Sequence, residues 1–218
     1  MAILFDMDGV LIDTMTHHTD SFVRVCTALG YSESEARQAS STSNSLKGLY
    51  ANLQQIRPLG KTFPEFVDIT LEDVFRAIEE GGGIQRDPEL LPFLHHLREQ
   101  GIEVAIGTSA VHKSAVRKLA MMELHNEFGI IVTADDVPQH KPFPDVYLKA
   151  AELLGIDPSR CIVIDDAAHG ILAGKRAGAK TIGFTKYLQD KTVLPEADLL
   201  ADSFAELTYD RLQRLVNS

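Results

Sequence analysis

The sequence predicts an α/β protein: a doubly wound, mainly parallel sheet with an α-helical domain inserted into it. Three observations carry this expectation. From Asp87 onward, apolar runs of strand length alternate with helical patterns. Between about Thr14 and Ile84 the pattern is helical, and no convincing strand interrupts it. Four strands end in polar residues, and ligands of such sheets bind outside the carboxyl ends of the strands. The chain of 218 residues is long enough for a sizeable core and an insertion. The expected division is a core of residues 1–13 and 86–218, with the inserted helical domain at 14–85.

Taken in order, Ala2-Ile3-Leu4-Phe5 reads as a buried strand that stops in Asp6 and Asp8, followed by Gly9. At a strand end the backbone turns, so both carboxylates can converge on one pocket. Two readings give them chemistry, a nucleophile with a neighbouring acid/base or half of a metal site. A third makes them caps of the following helix. Phe22, Val25, Cys26 and Leu29 then fall at helical spacing over 17–29, and Gly30 ends the run. Residues 32–45 are polar and serine-rich, with no element assigned. Helical patterns resume at Leu46–Ile56 and at 63–78, and hinges are expected near Asp13 and at Gly81-Gly82-Gly83.

Beyond the glycines, helices are expected at 88–100, 111–121, Asp145–Leu154, 171–177 and Tyr209–Val216. Strands are expected at Glu103–Gly107, 130–132, 161–164 and Lys180–Phe184, with Leu199–Ala201 as a short edge strand. The polar strand ends are then Asp6/Asp8, Thr108/Ser109, the loop from Asp135 to Lys141, and Asp165/Asp166. Asp135 and Asp136 can be read as catalytic, but a surface turn or a place beside a metal site fits them at least as well.

Composition narrows the partners. A hydrophobic content of 44% with 24% charged residues is that of an ordinary globular protein. The formal net charge of −10 argues against nucleic acid or an anionic membrane as the main partner. Cys26 and Cys161 have neither metal-ligand nor CxxC spacing and read as buried fillers in a reducing compartment. No basic segment followed by an apolar stretch opens the sequence, and no run is long enough to span a bilayer. The expectation is a cytoplasmic protein, monomeric by default.

Asp6, Asp8, Asp165 and Asp166 in one pocket pose an electrostatic problem, because like charges roughly 4 Å apart repel by about 4 kcal/mol at an effective dielectric near 20. An all-oxygen donor set suits a hard divalent ion, and Mg²⁺ binds through a few carboxylates plus a phosphate. Lys141, ahead of Pro142, can add a point charge beside the same anion. Thr108 can offer its hydroxyl and backbone N–H groups at a helix N-terminus. Together these residues describe a phosphate pocket with a carboxylate nucleophile.

Four motifs then resemble those of the haloacid dehalogenase superfamily, in the group with a helical cap, near its phosphatases and phosphomutases. They are Asp6-Met7-Asp8-Gly9-Val10, Ala105-Ile106-Gly107-Thr108, Lys141-Pro142-Phe143-Pro144-Asp145, and Asp165-Asp166 with Gly170, Ala173 and Ala177-Gly178. The resemblance covers nearly the whole chain and makes residues 14–85 the cap. It implies that Asp6 attacks phosphorus and that Asp8 protonates the leaving alkoxide, then deprotonates the water. It implies Mg²⁺ held by Asp6, the backbone carbonyl of Asp8, Asp166, and Asp165 directly or through water. Thr108, Ser109 and Lys141 would hold phosphate oxygens, and the charge of Asp6 would favour a protonated Asp8.

In the cap, which would exclude water and read the organic part of the substrate, the implied contacts are His18 and Lys47. His18 is also readable as a surface residue. Leu46-Lys47-Gly48 resembles a segment of β-phosphoglucomutase, but Ala51 stands where a phosphate-binding arginine would align, which weighs against a mutase. Asp8 argues against dehalogenase and phosphonate-hydrolase relatives. A receiver-like signalling domain would place its acidic pair before the phospho-accepting strand, and a non-catalytic phosphate binder would have lost Asp6 or Asp8. The expectation is therefore a Mg²⁺-dependent phosphatase of a small phosphorylated metabolite, such as a sugar phosphate, working through an aspartyl-phosphate on Asp6.

Overall fold

The computed structural model describes residues 1–13, 15–41, 45–84, 86–188, 190, 194 and 196–218, with the backbone alone over 15–19. The chain divides into two compact units, Met1–Asp13 with Gln85–Ser218 and, separately, Thr14–Ile84.

The Thr14–Ile84 unit is helical. It holds α1 (Met15–Ala28), α2 (Glu33–Ser40), α3 (Leu46–Ile56) and α4 (Phe63–Glu80). Phe22, Val25 and Cys26 of α1, Leu49 and Leu53 of α3 and Phe66 of α4 form its apolar core. Helix α2 falls in the polar, serine-rich stretch to which the sequence reading assigns no element. Ser32 accepts from the Glu35 backbone N–H, and the Glu35 carboxylate accepts from the Ser32 N–H, a reciprocal cap that satisfies two otherwise unpaired donors. Only Ala36 and Ala39 are buried along α2, so small residues and a cap, rather than an apolar stripe, define it. The same device opens α4, where Thr62 and Glu65 cap each other.

The other unit is built on six parallel strands: β1 (Ala2–Phe5), β2 (Glu103–Gly107), β3 (Ile131–Val132), β4 (Cys161–Asp165), β5 (Lys180–Phe184) and β6 (Leu199–Ala201). Their order across the sheet is β3-β2-β1-β4-β5-β6. Every residue of β1 and β4 is buried, as central strands covered on both faces must be. Phe5 pairs with Ile106 of β2 on one side and with Ile164 of β4 on the other. The winding direction reverses at β1, which opens a crevice between the carboxyl ends of β1 and β4, where α/β sheets bind their ligands.

Five further helices belong to this unit: α5 (Leu90–Glu99), α6 (His112–Met121), α7 (Asp145–Leu154), α8 (Ala168–Ala177) and α9 (Tyr209–Val216). Helix α5 starts after Pro88 rather than at it, because Asp87 accepts from the Glu89 N–H and holds 87–89 as a turn. Helix α8 starts three residues before the expected 171, and the reason lies in the site described below. Val146, Tyr147, Ala150 and Ala151 of α7 pack with Leu4, Ala105, Val132 and Val163 of the sheet. Elsewhere Phe204 stacks with both Phe93 and Phe184, at ring-centroid distances of 5.3 and 4.7 Å.

Both cysteines are buried and unpaired, and burial pushes their thiols up to about 12 at Cys26 and about 11 at Cys161. No helix among the described residues is long and apolar enough to cross a membrane.

Candidate active site

Asp6 is the first residue past β1, and its N–H donates to the Ile164 carbonyl of β4 at 2.8 Å. That bond holds the end of β1 beside the end of β4. Carboxylate oxygens of Asp6, Asp165 and Asp166 thereby gather within 4.8 Å of one another, all three residues buried. Lys141 binds across the group, its Nζ donating to Asp6 Oδ1 at 2.7 Å and to Asp165 Oδ2 at 2.8 Å.

Beneath Lys141 lies Tyr147 of α7, its ring centroid 4.7 Å from the ammonium. The phenol O–H donates to Asp165 Oδ2 at 2.5 Å, and the Ala167 N–H donates to Oδ1 at 3.0 Å. Both oxygens of Asp165 are thus held. Tyr147 carries no motif and was not among the expected site residues. It reads in the sequence as one more apolar position of α7, and only the fold turns its hydroxyl to Asp165.

Two glycines make room for these carboxylates. Gly9 has φ +85°, and a Cβ there would lie 2.0 Å from Asp166 Oδ2. At Gly170, in the first turn of α8, a Cβ would lie 1.8 Å from Asp165 Oδ2. Gly170 is therefore no helix stop, which explains the early start of α8.

The charges are unbalanced. Burial, the neighbouring Asp165 and Asp8 raise Asp6 to about 7, although Lys141 pulls the other way. Burial and then repulsion from Asp165 and Asp6 raise Asp166 to about 8. For Lys141, burial works against the charge, but Asp165 and Asp6 outweigh it and raise the lysine above its ordinary value. Tyr147 is raised well above its ordinary value by burial and by the charge of Asp165, so the phenol keeps its proton. With each pKa unit worth about 1.4 kcal/mol, holding Asp6 ionised here costs on the order of 4 kcal/mol without a further cation. Three converging buried carboxylates facing one ammonium, with only oxygen donors, fit a hard divalent ion such as Mg²⁺.

Asp8 has a cation of its own. Its two carboxylate oxygens accept from Lys118 Nζ at 2.5 and 2.7 Å. Lys118 lies on α6 and its side chain is 0% exposed, against 22% for Asp8. The sequence reading of Asp8 did not include this lysine, whose ammonium holds both of its oxygens. Lys118 follows Ser114 and Ala115 on the buried face of α6, so its signal was a lysine in the core register of an amphipathic helix.

Thr108 is buried at the end of β2 and Ser109, half-buried, follows it. The backbone N–H of Thr108 donates to the Val132 carbonyl at 2.9 Å, so it stitches the sheet rather than facing an anion. The Thr108 hydroxyl accepts from the Ala110 N–H at 3.1 Å, which leaves the hydroxyl proton as the donor it can offer. The first N–H of α6, that of His112, donates to Asp135 at 2.8 Å, so this helix start is already capped by a carboxylate. Asp136 accepts from the Thr133 N–H and hydroxyl at 2.8 and 2.6 Å. Asp135 and Asp136 are turn and cap residues. Lys47 is exposed on α3 of the helical unit, and His18 lies on α1 with its side chain outside the described residues.

Known proteins match this architecture. The sequence pattern of the family described as haloacid dehalogenase-like hydrolase matches residues 3–184. A phosphorylated carbohydrates phosphatase of Thermotoga maritima is 29% identical over 205 residues, covering 92% of both chains. Hexitol phosphatase B of Escherichia coli is 27% identical over 95% of this chain and 94% of its own. Among solved structures, CbbY from Rhodobacter sphaeroides in complex with phosphate superposes with a TM-score of 0.82 at 27% identity, covering 97% of this chain and 98% of that one.

Proposed function

The chain belongs to the haloacid dehalogenase-like hydrolase family, and we propose that it is a Mg²⁺-dependent phosphatase of a small phosphorylated carbohydrate, acting through an aspartyl-phosphate on Asp6. The observation that carries this reading is the buried group at the ends of β1 and β4, Asp6, Asp165 and Asp166 with Lys141 across them. The named activities of the relatives from Thermotoga maritima and Escherichia coli support a sugar or sugar-alcohol phosphate as the substrate class.

Asp6, Asp166, Asp165 and the backbone carbonyl of Asp8 are the groups that would hold Mg²⁺. Bound there, the ion would supply positive charge to a phosphoryl group as charge develops on it. The remaining work falls to the protein. Lys141 and the hydroxyls of Thr108 and Ser109 bind phosphate oxygens and set the phosphorus in line with Asp6. The Asp6 carboxylate forms the new P–O bond while the ester P–O bond breaks, and Asp8 delivers a proton to the departing alkoxide. Asp8 then takes a proton from water as that water attacks phosphorus, which frees Asp6 and releases inorganic phosphate.

The test is phosphate release from a panel of hexose, pentose and hexitol phosphates, with Mg²⁺ and with a chelator. Metal-dependent release from a few of these esters is expected, and Asp6→Asn is expected to abolish it. Release that persists in chelator, or appreciable turnover by Asp6→Asn, would overturn the reading.

A further inference from the structure

We infer that Lys118 is a positioning residue for the acid/base step, holding the Asp8 carboxylate in the orientation from which it exchanges protons with the substrate. The inference deepens the phosphatase reading and rests on it. Lysine is almost never fully buried unless paired, yet Lys118 is wholly enclosed and places its ammonium on both oxygens of Asp8, at 2.5 and 2.7 Å. An ion pair of this kind is a poor way to stabilise a fold. Desolvation of the charges offsets most of their attraction, and an apolar side chain of the same volume serves a core position as well or better. Around it, Ala115, Leu119 and Met122 are buried apolar residues, so the site on α6 is suited to a methionine or leucine. What the lysine adds is direction.

Asp8 follows β1 in a turn where the Met7 carbonyl accepts from the Leu11 and Ile12 N–H groups at 2.9 and 3.2 Å. The turn fixes the backbone there. A carboxylate on one methylene can still rotate, and 22% of the Asp8 side chain is exposed. Two charge-assisted bonds from a side chain rooted in a buried helix face remove that freedom. A catalytic carboxylate that is misplaced by about 1 Å can cost on the order of 100-fold in rate, so the gain is in turnover rather than in substrate binding.

The experiment compares the full chain with Lys118→Met, Lys118→Arg, Asp8→Asn and the Lys118→Met/Asp8→Asn double variant. Each is assayed with Mg²⁺ on p-nitrophenyl phosphate and on the best ester of the panel, and each is melted in chelator. Lys118→Met is expected to lose about 10–100-fold in kcat, with KM and melting temperature close to the parent, and Lys118→Arg should restore part of the loss. The inference makes Lys118 act on turnover through Asp8, so adding Lys118→Met to Asp8→Asn should lower activity no further. A Lys118→Met enzyme with parental kcat overturns the inference. So does a loss of kcat that the two substitutions add independently. If Lys118→Met fails to fold, the Lys118→Arg variant decides. A kcat below the parent's with parental KM then supports the inference, and parental kcat with a parental pH profile overturns it. Absence of activity in the parent itself would count against the phosphatase reading and not against the pairing, which a non-additive shift of melting temperature across the parent, Lys118→Met, Asp8→Asn and the double variant would still report.

Discussion

At Gly170 the ordinary rule for glycine in a helix reverses. Replacing a helical glycine by alanine usually stabilises by about 1 kcal/mol, but here the added methyl would meet the Asp165 carboxylate at 1.8 Å. That carboxylate cannot retreat easily, because Lys141, Tyr147 and the Ala167 N–H already hold it. Gly170→Ala should therefore cost about 1–3 kcal/mol through overpacking and weaken Mg²⁺ binding roughly tenfold by turning Asp165. Melting in chelator and a Mg²⁺ titration measure the two effects, and a variant as stable as the parent would contradict the crowding. The individual site residues differ in how far the sequence announces them. Asp6, Asp165 and Asp166 stand at the ends of apolar runs and Lys141 in the loop that follows another, where a parallel sheet presents its binding edge, so their convergence follows from topology. Lys118 and Tyr147 sit inside helices at core positions, and a helical register shows that a side chain is buried without showing which carboxylate it meets.

At the level of elements, the strands and the helices of the α/β unit were legible because their apolar residues repeat at strong periods and their ends carry glycine or proline. Helix α2 was not. Its sequence, Glu33–Ser40, offers only two buried alanines, and serine-rich segments read as loops. What forms it is the reciprocal cap between Ser32 and Glu35, aided by an ion pair from Arg37 to Glu33 at 2.7 Å. The pair is exposed and contributes little, whereas an N-cap serine contributes about 1 kcal/mol. Ser32→Ala should therefore loosen α2 more than its small size suggests. Amide hydrogen exchange across Glu33–Ser40 is expected to quicken roughly fivefold, while exchange in the central strands stays as it was. Unchanged exchange in α2 would mean that Ala36 and Ala39 hold the helix without its cap.

For the molecule as a whole, the uncompensated charge at the ends of β1 and β4 ties folding to pH and to metal. Asp6 at about 7 and Asp166 at about 8 lie above the ordinary carboxylate value that the unfolded chain would show. Burial comes first among the causes for both, and repulsion within the group adds to it. The native state then binds more protons than the unfolded state between about pH 4 and 8, so the stability of the metal-free protein falls as pH rises through that window. Lys141 and Tyr147, both raised, keep their protons throughout, while His169, lowered mainly by burial, opposes the two carboxylates over part of that window. Mg²⁺ bound as proposed would act in the opposite sense, since it would take the ionised carboxylates and would have to displace protons at lower pH. The melting temperature in chelator should therefore decline from pH 6 to pH 8, and the rise produced by saturating Mg²⁺ should be larger at pH 8 than at pH 6. The measurement is a thermal melt at each pH with and without the ion. A Mg²⁺ effect of equal size at both values would mean that Asp6 and Asp166 are already ionised at pH 6, and that Lys141 alone balances the charge the fold has gathered there.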